Sequence, residues 1–198
     1  MFEISPPAAI ALSLGISLLI AAGLQYVAVV ERTQTALRYW SLAFASHALH
    51  DAVLLPEILG FAPLDFLAPA CLALMTGFLW AGLHRTTGAP MSRKIPLLLA
   101  LASLWSLVPT PPGFSPSLRT LPVEILCTGL CATAGVLFWR RAKAVPGTGH
   151  RLSALALLAW STLLAAAALD IARDGSPLHE LTNNLLLLAL GFTLTLNA

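Results

Sequence analysis

The sequence predicts an all-α integral membrane protein: a bundle of seven transmembrane helices with its N-terminus outside and its C-terminus in the cytoplasm. Three observations predict it. Of 198 residues, 58% are hydrophobic and only 10% are charged, too apolar a balance for a water-soluble domain that must cover its surface with polar groups. Apolar stretches recur between Pro- and Gly-bearing gaps, most of them near the roughly 20 residues that cross a hydrocarbon core. Lys and Arg gather in alternate gaps, the pattern of cytoplasmic loops.

The first span is expected at 8–30. The preceding MFEISPP carries an acid and no Lys or Arg, unlike the basic start of a signal peptide, so a retained helix is expected. The second span, 37–59, is followed by the gap Pro56 to Pro63, and the third, 64–84, by Gly88 to Pro90. The fourth, 95–109, is short: its apolar run from Ile95 to Val108 needs a tilted or locally thinned bilayer to cross. The fifth, 119–139, follows Pro109 to Pro116, and the sixth, 151–172, follows Pro146 to Gly149. Gly175 to Pro177 introduces the seventh, 178–197, which completes one domain over 1–198.

Orientation follows from the basic residues. With the N-terminus outside, the cytoplasmic side holds Arg32, Arg38, Arg85, Arg93, Lys94, Arg140, Arg141, Lys143 and Arg151, and the outer side only Arg119 and Arg173. Nine against two is a strong asymmetry for short loops. Trp40, Trp80 and Trp139 fall at the inner boundary, where an interfacial aromatic belt belongs.

Acids show the reverse asymmetry: Glu3, Asp51, Glu57, Asp65, Glu124, Asp170, Asp174 and Glu180 are outside or in outer half-spans, and Glu31 alone is inside. An ionisable group in hydrocarbon costs at least a few kcal/mol unless paired or wetted. His47, His50 and Asp51 share a face of the second span at spacings of three and four. His179, Glu180, Thr182, Asn183 and Asn184 open the seventh span, Asp170 closes the sixth and Glu124 enters the fifth at the same depth. Polar groups facing lipid would be unsatisfied, so His47, His50, Asp51, Glu124, Asp170, His179, Glu180, Asn183 and Asn184 are expected to line a ligand pocket open to the outside. Each part has a plainer reading: a bonded His50–Asp51 pair, Asn183 and Asn184 joining helices, solvated loop ends at Glu57, Asp65, Asp174 and Glu180.

Three chemistries fit such a pocket. Ligand sensing needs a small molecule to shift a helix that continues inward, and the seventh span, ending at Leu196-Asn197-Ala198, suits that role. This reading expects no cofactor, no catalytic residue and no nucleic-acid partner. Metal binding is the alternative. His47, His50, Asp51, His179 and Glu180 are ligand types for zinc, as in a membrane hydrolase, or for a b-type haem held by His47 and His179. Transport is disfavoured by an inner half that is apolar apart from Gln25, Tyr26 and a few hydroxyls. A retinal protein is excluded, because no lysine lies in 178–197. Cys71, Cys127 and Cys131, an odd number within spans, read as packing residues rather than a disulfide framework.

Leu37-Arg-Tyr-Trp-Ser-Leu-Ala-Phe-Ala-Ser-His-Ala-Leu, Ala68-Pro-Ala-Cys-Leu-Ala-Leu and Trp80-Ala-Gly-Leu-His-Arg-Thr-Thr-Gly-Ala-Pro resemble the N-terminal multi-helix sensor regions of bacterial diguanylate cyclases (GGDEF proteins) and of some membrane histidine kinases. In those regions an LRxW opens the second helix, and GLxRxxG before Pro closes the third. The resemblance covers spans two and three, about a quarter of the chain, and the cyclase or kinase sequence itself is not present here. It implies a sensor in the bacterial cytoplasmic membrane, driving a cytoplasmic output domain in cis or in trans, and a homodimer.

Overall fold

In the computed structural model, described over residues 6–31, 34–61, 64–88, 92, 94–108, 117–144, 148–171, 189–191 and 194, every regular element is helical. The α-helices are α1 (Pro6–Val30), α2 (Thr35–Ile58), α3 (Ala68–Thr87), α4 (Lys94–Ser106), α5 (Ser117–Ala144) and α6 (Thr148–Ile171). A one-turn 3-10 helix, Asp65–Leu67, leads into α3, so the first residues of the expected third span are not α-helical. Of the seventh expected span, residues 189–191 and 194 are described and helical; the rest lies outside the described residues. Two helical stretches, Pro7–Val30 and Thr120–Ala144, are long and apolar enough to cross a membrane.

The helix ends follow local rules. Pro6, Pro7, Pro69 and Pro96 sit in first turns, where a missing N–H costs nothing. Pro56, expected in a gap, lies inside the last turns of α2. Its carbonyl accepts from Phe61 N–H at 2.8 Å, and Gly60 takes φ 80°, which lets the chain turn off left-handed. Gly88 does the same for α3, with φ 68° and its N–H bonded to His84 O at 2.9 Å. The basic run Arg140, Arg141 and Lys143 continues α5 to Ala144 beyond the expected end at 139. Lys and Arg stems extend readily past an apolar helix end. The 13 residues of α4 make it the shortest α-helix, about 20 Å at 1.5 Å per residue.

The chain packs α1 on α2, α2 on α3, α3 on α4 and α5, α4 on α5, and α5 on α6. Small residues set the closest approaches. A side chain at Gly82 on α3 would run into the indole of Trp40 on α2, and one at Gly135 on α5 would meet Leu158 of α6. Gly191 of the C-terminal segment lies against Ile20 of α1. Trp40, Leu83, Phe138 and Met75 are buried among these helices. The ring of Trp40 lies 6.4 Å from Phe138 of α5, which lies 5.9 Å from His150 of α6. The start of α2, the ends of α3 and α5 and the start of α6 therefore meet at one end of the bundle. That end carries Arg38, Arg85, Arg140, Arg141 and Arg151. Around the outside, Leu19, Val29, Leu49, Leu74, Leu101, Leu104, Trp105, Ile125 and Leu155 are exposed, among many other large apolar side chains.

Candidate functional site

Ring contacts place the polar cluster of α2 at the junction of α1, α2 and α6. His47 lies seven residues beyond Trp40, about 10 Å along the helix, away from the basic end. His47 and Asp51 are one turn apart, and Nδ1 of His47 is 3.3 Å from Oδ2 of Asp51. His50 reaches the other carboxylate oxygen, Nδ1 to Oδ1, at 3.3 Å. The imidazoles stack with centroids 5.7 Å apart. His47 meets the edge of Trp160 on α6 at 6.5 Å and approaches Ser17 Oγ on α1 at 3.1 Å. Ser13, one turn before Ser17, presents a buried hydroxyl beside Asp51.

Burial divides the cluster. The side chains of His47 and Asp51 are 4% and 7% exposed, that of His50 23%. Asp51 Oδ2 is within ion-pair distance of His47 but has no hydrogen-bond partner, and neither does Ser13 Oγ. Among the described residues the ion-pair partners of Asp51 are the two histidines. Two buried polar oxygens thus lie side by side.

The structure brings together His47, His50 and Asp51, whose ligand-capable atoms all lie within 4.8 Å of one another. Glu124 lies outside that group. It sits on α5 with Thr120, near Cys127, whose Sγ faces Leu72 O of α3 at 3.9 Å. Asp170 is in the last turn of α6 and its side chain is outside the described residues. His179, Glu180, Asn183 and Asn184 also lie outside them, and with them the rest of the wider zinc or haem set. Cys71, Cys127 and Cys131 are free and buried. A cavity of about 300 Å³ opens elsewhere, between α3 and α4, lined by Tyr39, Leu74, Gly77, Phe78, Ile95 and Leu99 among others.

Ser13, Ser17 and Trp160 escaped the sequence reading. The available signal was the pair of hydroxyls four residues apart on an otherwise apolar first helix. Comparison with family models, with curated proteins and with solved structures finds no match, so the resemblance to cyclase and kinase sensor regions rests on the residues that carry it.

Proposed function

We propose that the chain is a sensor module of the bacterial cytoplasmic membrane, crossing it seven times with the N-terminus outside. In this reading His47, His50 and Asp51 receive a small extracytoplasmic or membrane-borne ligand, and α1 carries the response to the C-terminal segment and on to a cytoplasmic output domain or partner. The apolar outer surface supports the membrane setting. The meeting of five arginines at one end supports the orientation.

The observation that carries the signalling part is a path of two contacts on α1. Ser17 touches His47 of the cluster, and Ile20, almost one turn on, touches Gly191 of the C-terminal segment. A ligand that rearranges His47 bears on Ser17. A small roll of α1 there moves Ile20 against a glycine with no side chain to yield. A ligand shifts such an equilibrium only by its differential affinity for the two arrangements.

Hydrogen–deuterium exchange of the full chain in lipid nanodiscs tests this. Asp51→Asn is expected to change exchange in α1 and in residues 189–194 together. A change confined to α1 and α2 would overturn the signalling path. For topology, reporters fused after Arg85 and after Leu59 are expected to report cytoplasm and exterior respectively, and the reverse would overturn the orientation.

A further inference from the structure

We infer that the ligand received by His47, His50 and Asp51 is a divalent transition-metal ion of the zinc class. The inference rests on the reading of this cluster as the receiving site.

Geometry comes first. Zinc holds nitrogen and oxygen ligands at about 2.0–2.2 Å, so neighbouring ligands of a tetrahedral ion stand roughly 3.3 Å apart. Here Nδ1 of His47 and Nδ1 of His50 each stand 3.3 Å from a carboxylate oxygen of Asp51. Two imidazoles and one carboxylate are a three-residue set that leaves a further position open for an exchangeable ligand, as sites that do more than brace a fold do. Imidazole with carboxylate suits zinc, iron, nickel or copper better than calcium or magnesium, which favour oxygen alone.

Hydrogen bonding alone leaves the cluster unsatisfied. An imidazole Nδ1 has one in-plane position, for a proton or a lone pair. At His47 that position faces both Ser17 Oγ at 3.1 Å and Asp51 Oδ2 at 3.3 Å. If Ser17 donates to it, Nδ1 and Oδ2 confront each other as two acceptors. If Nδ1 carries the proton, its geometry still leaves Oδ2 without a bond. Asp51 is more than nine-tenths buried, and the buried Ser13 hydroxyl beside it falls short of a well-formed hydrogen bond. A buried carboxylate oxygen short of a well-formed hydrogen bond is costly even beside an imidazole. A cation among Nδ1 of His47, Nδ1 of His50 and the carboxylate gives these atoms a common partner. Ser17 Oγ faces the same Nδ1, so an ion there must displace it or take it as a further oxygen ligand, while the Ser13 hydroxyl lies beside the carboxylate.

The probe is Co²⁺, which reports tetrahedral nitrogen and oxygen ligation by visible d–d absorption. The full chain, purified in detergent and stripped with chelator, is titrated with Co²⁺ and then challenged with Zn²⁺. One equivalent per chain should develop the band and Zn²⁺ should abolish it. His50→Ala, at the most exposed of the three positions, and Asp51→Asn should each weaken binding by more than the roughly 100-fold that loss of an outer partner can reach. His84→Ala and His150→Ala should leave it unchanged. The inference is overturned if helical protein by circular dichroism shows no band, or if the band survives His50→Ala and Asp51→Asn. The sensor reading fails separately: Co²⁺ bound at this site with no altered exchange in residues 189–194 keeps the metal and removes the signalling path. An absent band leaves the exchange response to Asp51→Asn as that reading's own test.

Discussion

Ser17 Oγ lies 3.1 Å from Nδ1 of His47, a contact between residues thirty apart in sequence that joins α1 to the polar face of α2. A second hydroxyl, Ser41 Oγ, donates to Ala21 O at 2.8 Å and holds the same two helices together nearer the basic end. Of these two bonds between the helices, one touches the cluster and the other does not.

That difference is testable. Ser17→Ala removes one of the two groups that face His47 Nδ1 and is expected to lower stability by about 0.5–1.5 kcal/mol, the worth of one hydrogen bond. Thermal unfolding of the purified protein, followed by circular dichroism, measures it. Ser41→Ala should cost stability too, while leaving Co²⁺ binding unaltered. Equal loss of binding in both variants would mean that helix docking, rather than the His47 contact, governs the cluster.

The two histidines should not be equivalent. His47 packs against Trp160 and is almost fully covered, whereas about a quarter of His50 is exposed. His47→Ala opens a cavity at the junction of three helices and should destabilise by about 2–4 kcal/mol, in the range of large core truncations. His50→Ala should cost less than half as much. Matching melting temperatures would contradict the burial described above.

Gly82 offers a packing test with its own control. A methyl group there meets the indole of Trp40, whereas one at Gly129 meets nothing within 4 Å. Gly82→Ala should destabilise by about 1–3 kcal/mol through overpacking. Gly129→Ala should be neutral or slightly stabilising, since alanine is the better helix former. Trp40→Leu combined with Gly82→Ala should recover part of the loss, and a strictly additive double mutant would deny that the pair touch.

Gly191 is the place to interrupt communication without touching the cluster. Gly191→Val drives a branched side chain into Ile20 and should increase exchange in residues 189–194, and because coupling between two sites is reciprocal it should shift Co²⁺ affinity as well. Ile20→Ala should relieve the strain and restore protection. Protection unchanged by Gly191→Val would show that α1 does not hold the segment.

The helical architecture was legible because apolar run length and Pro–Gly punctuation act locally. All six described α-helices fall where the runs fall, and the brevity of α4 is visible in Ile95 to Val108. The expected span to residue 59 runs through Pro56, and the helix does so too, since a proline in the last turns gives up one bond and the Gly60 turn recovers another through its carbonyl. Within the site, the closeness of His47 and Asp51 was legible from their four-residue spacing, which one helix fixes alone. The partners Ser13, Ser17 and Trp160 were not. Contacts between helices depend on how each is rotated about its axis, and on α1, apolar but for Ser13, Ser17, Gln25 and Tyr26, the two hydroxyls four residues apart were the one weak cue to an inward face. The same freedom hid the side of α5 on which Glu124 would stand.

The short α4 carries a consequence for the lipids around it. In the membrane reading, a 13-residue rod stands beside α3 and α5 in a hydrocarbon layer about 30 Å deep. Acyl tails next to it must splay or shorten, at fractions of a kcal/mol per Å of mismatch. The cleft between α3 and α4 opens at that shallow spot, where a stray tail can fold in. In that reading the protein should partition toward membranes built of shorter chains, with the thickness of its host bilayer setting the strain around α4.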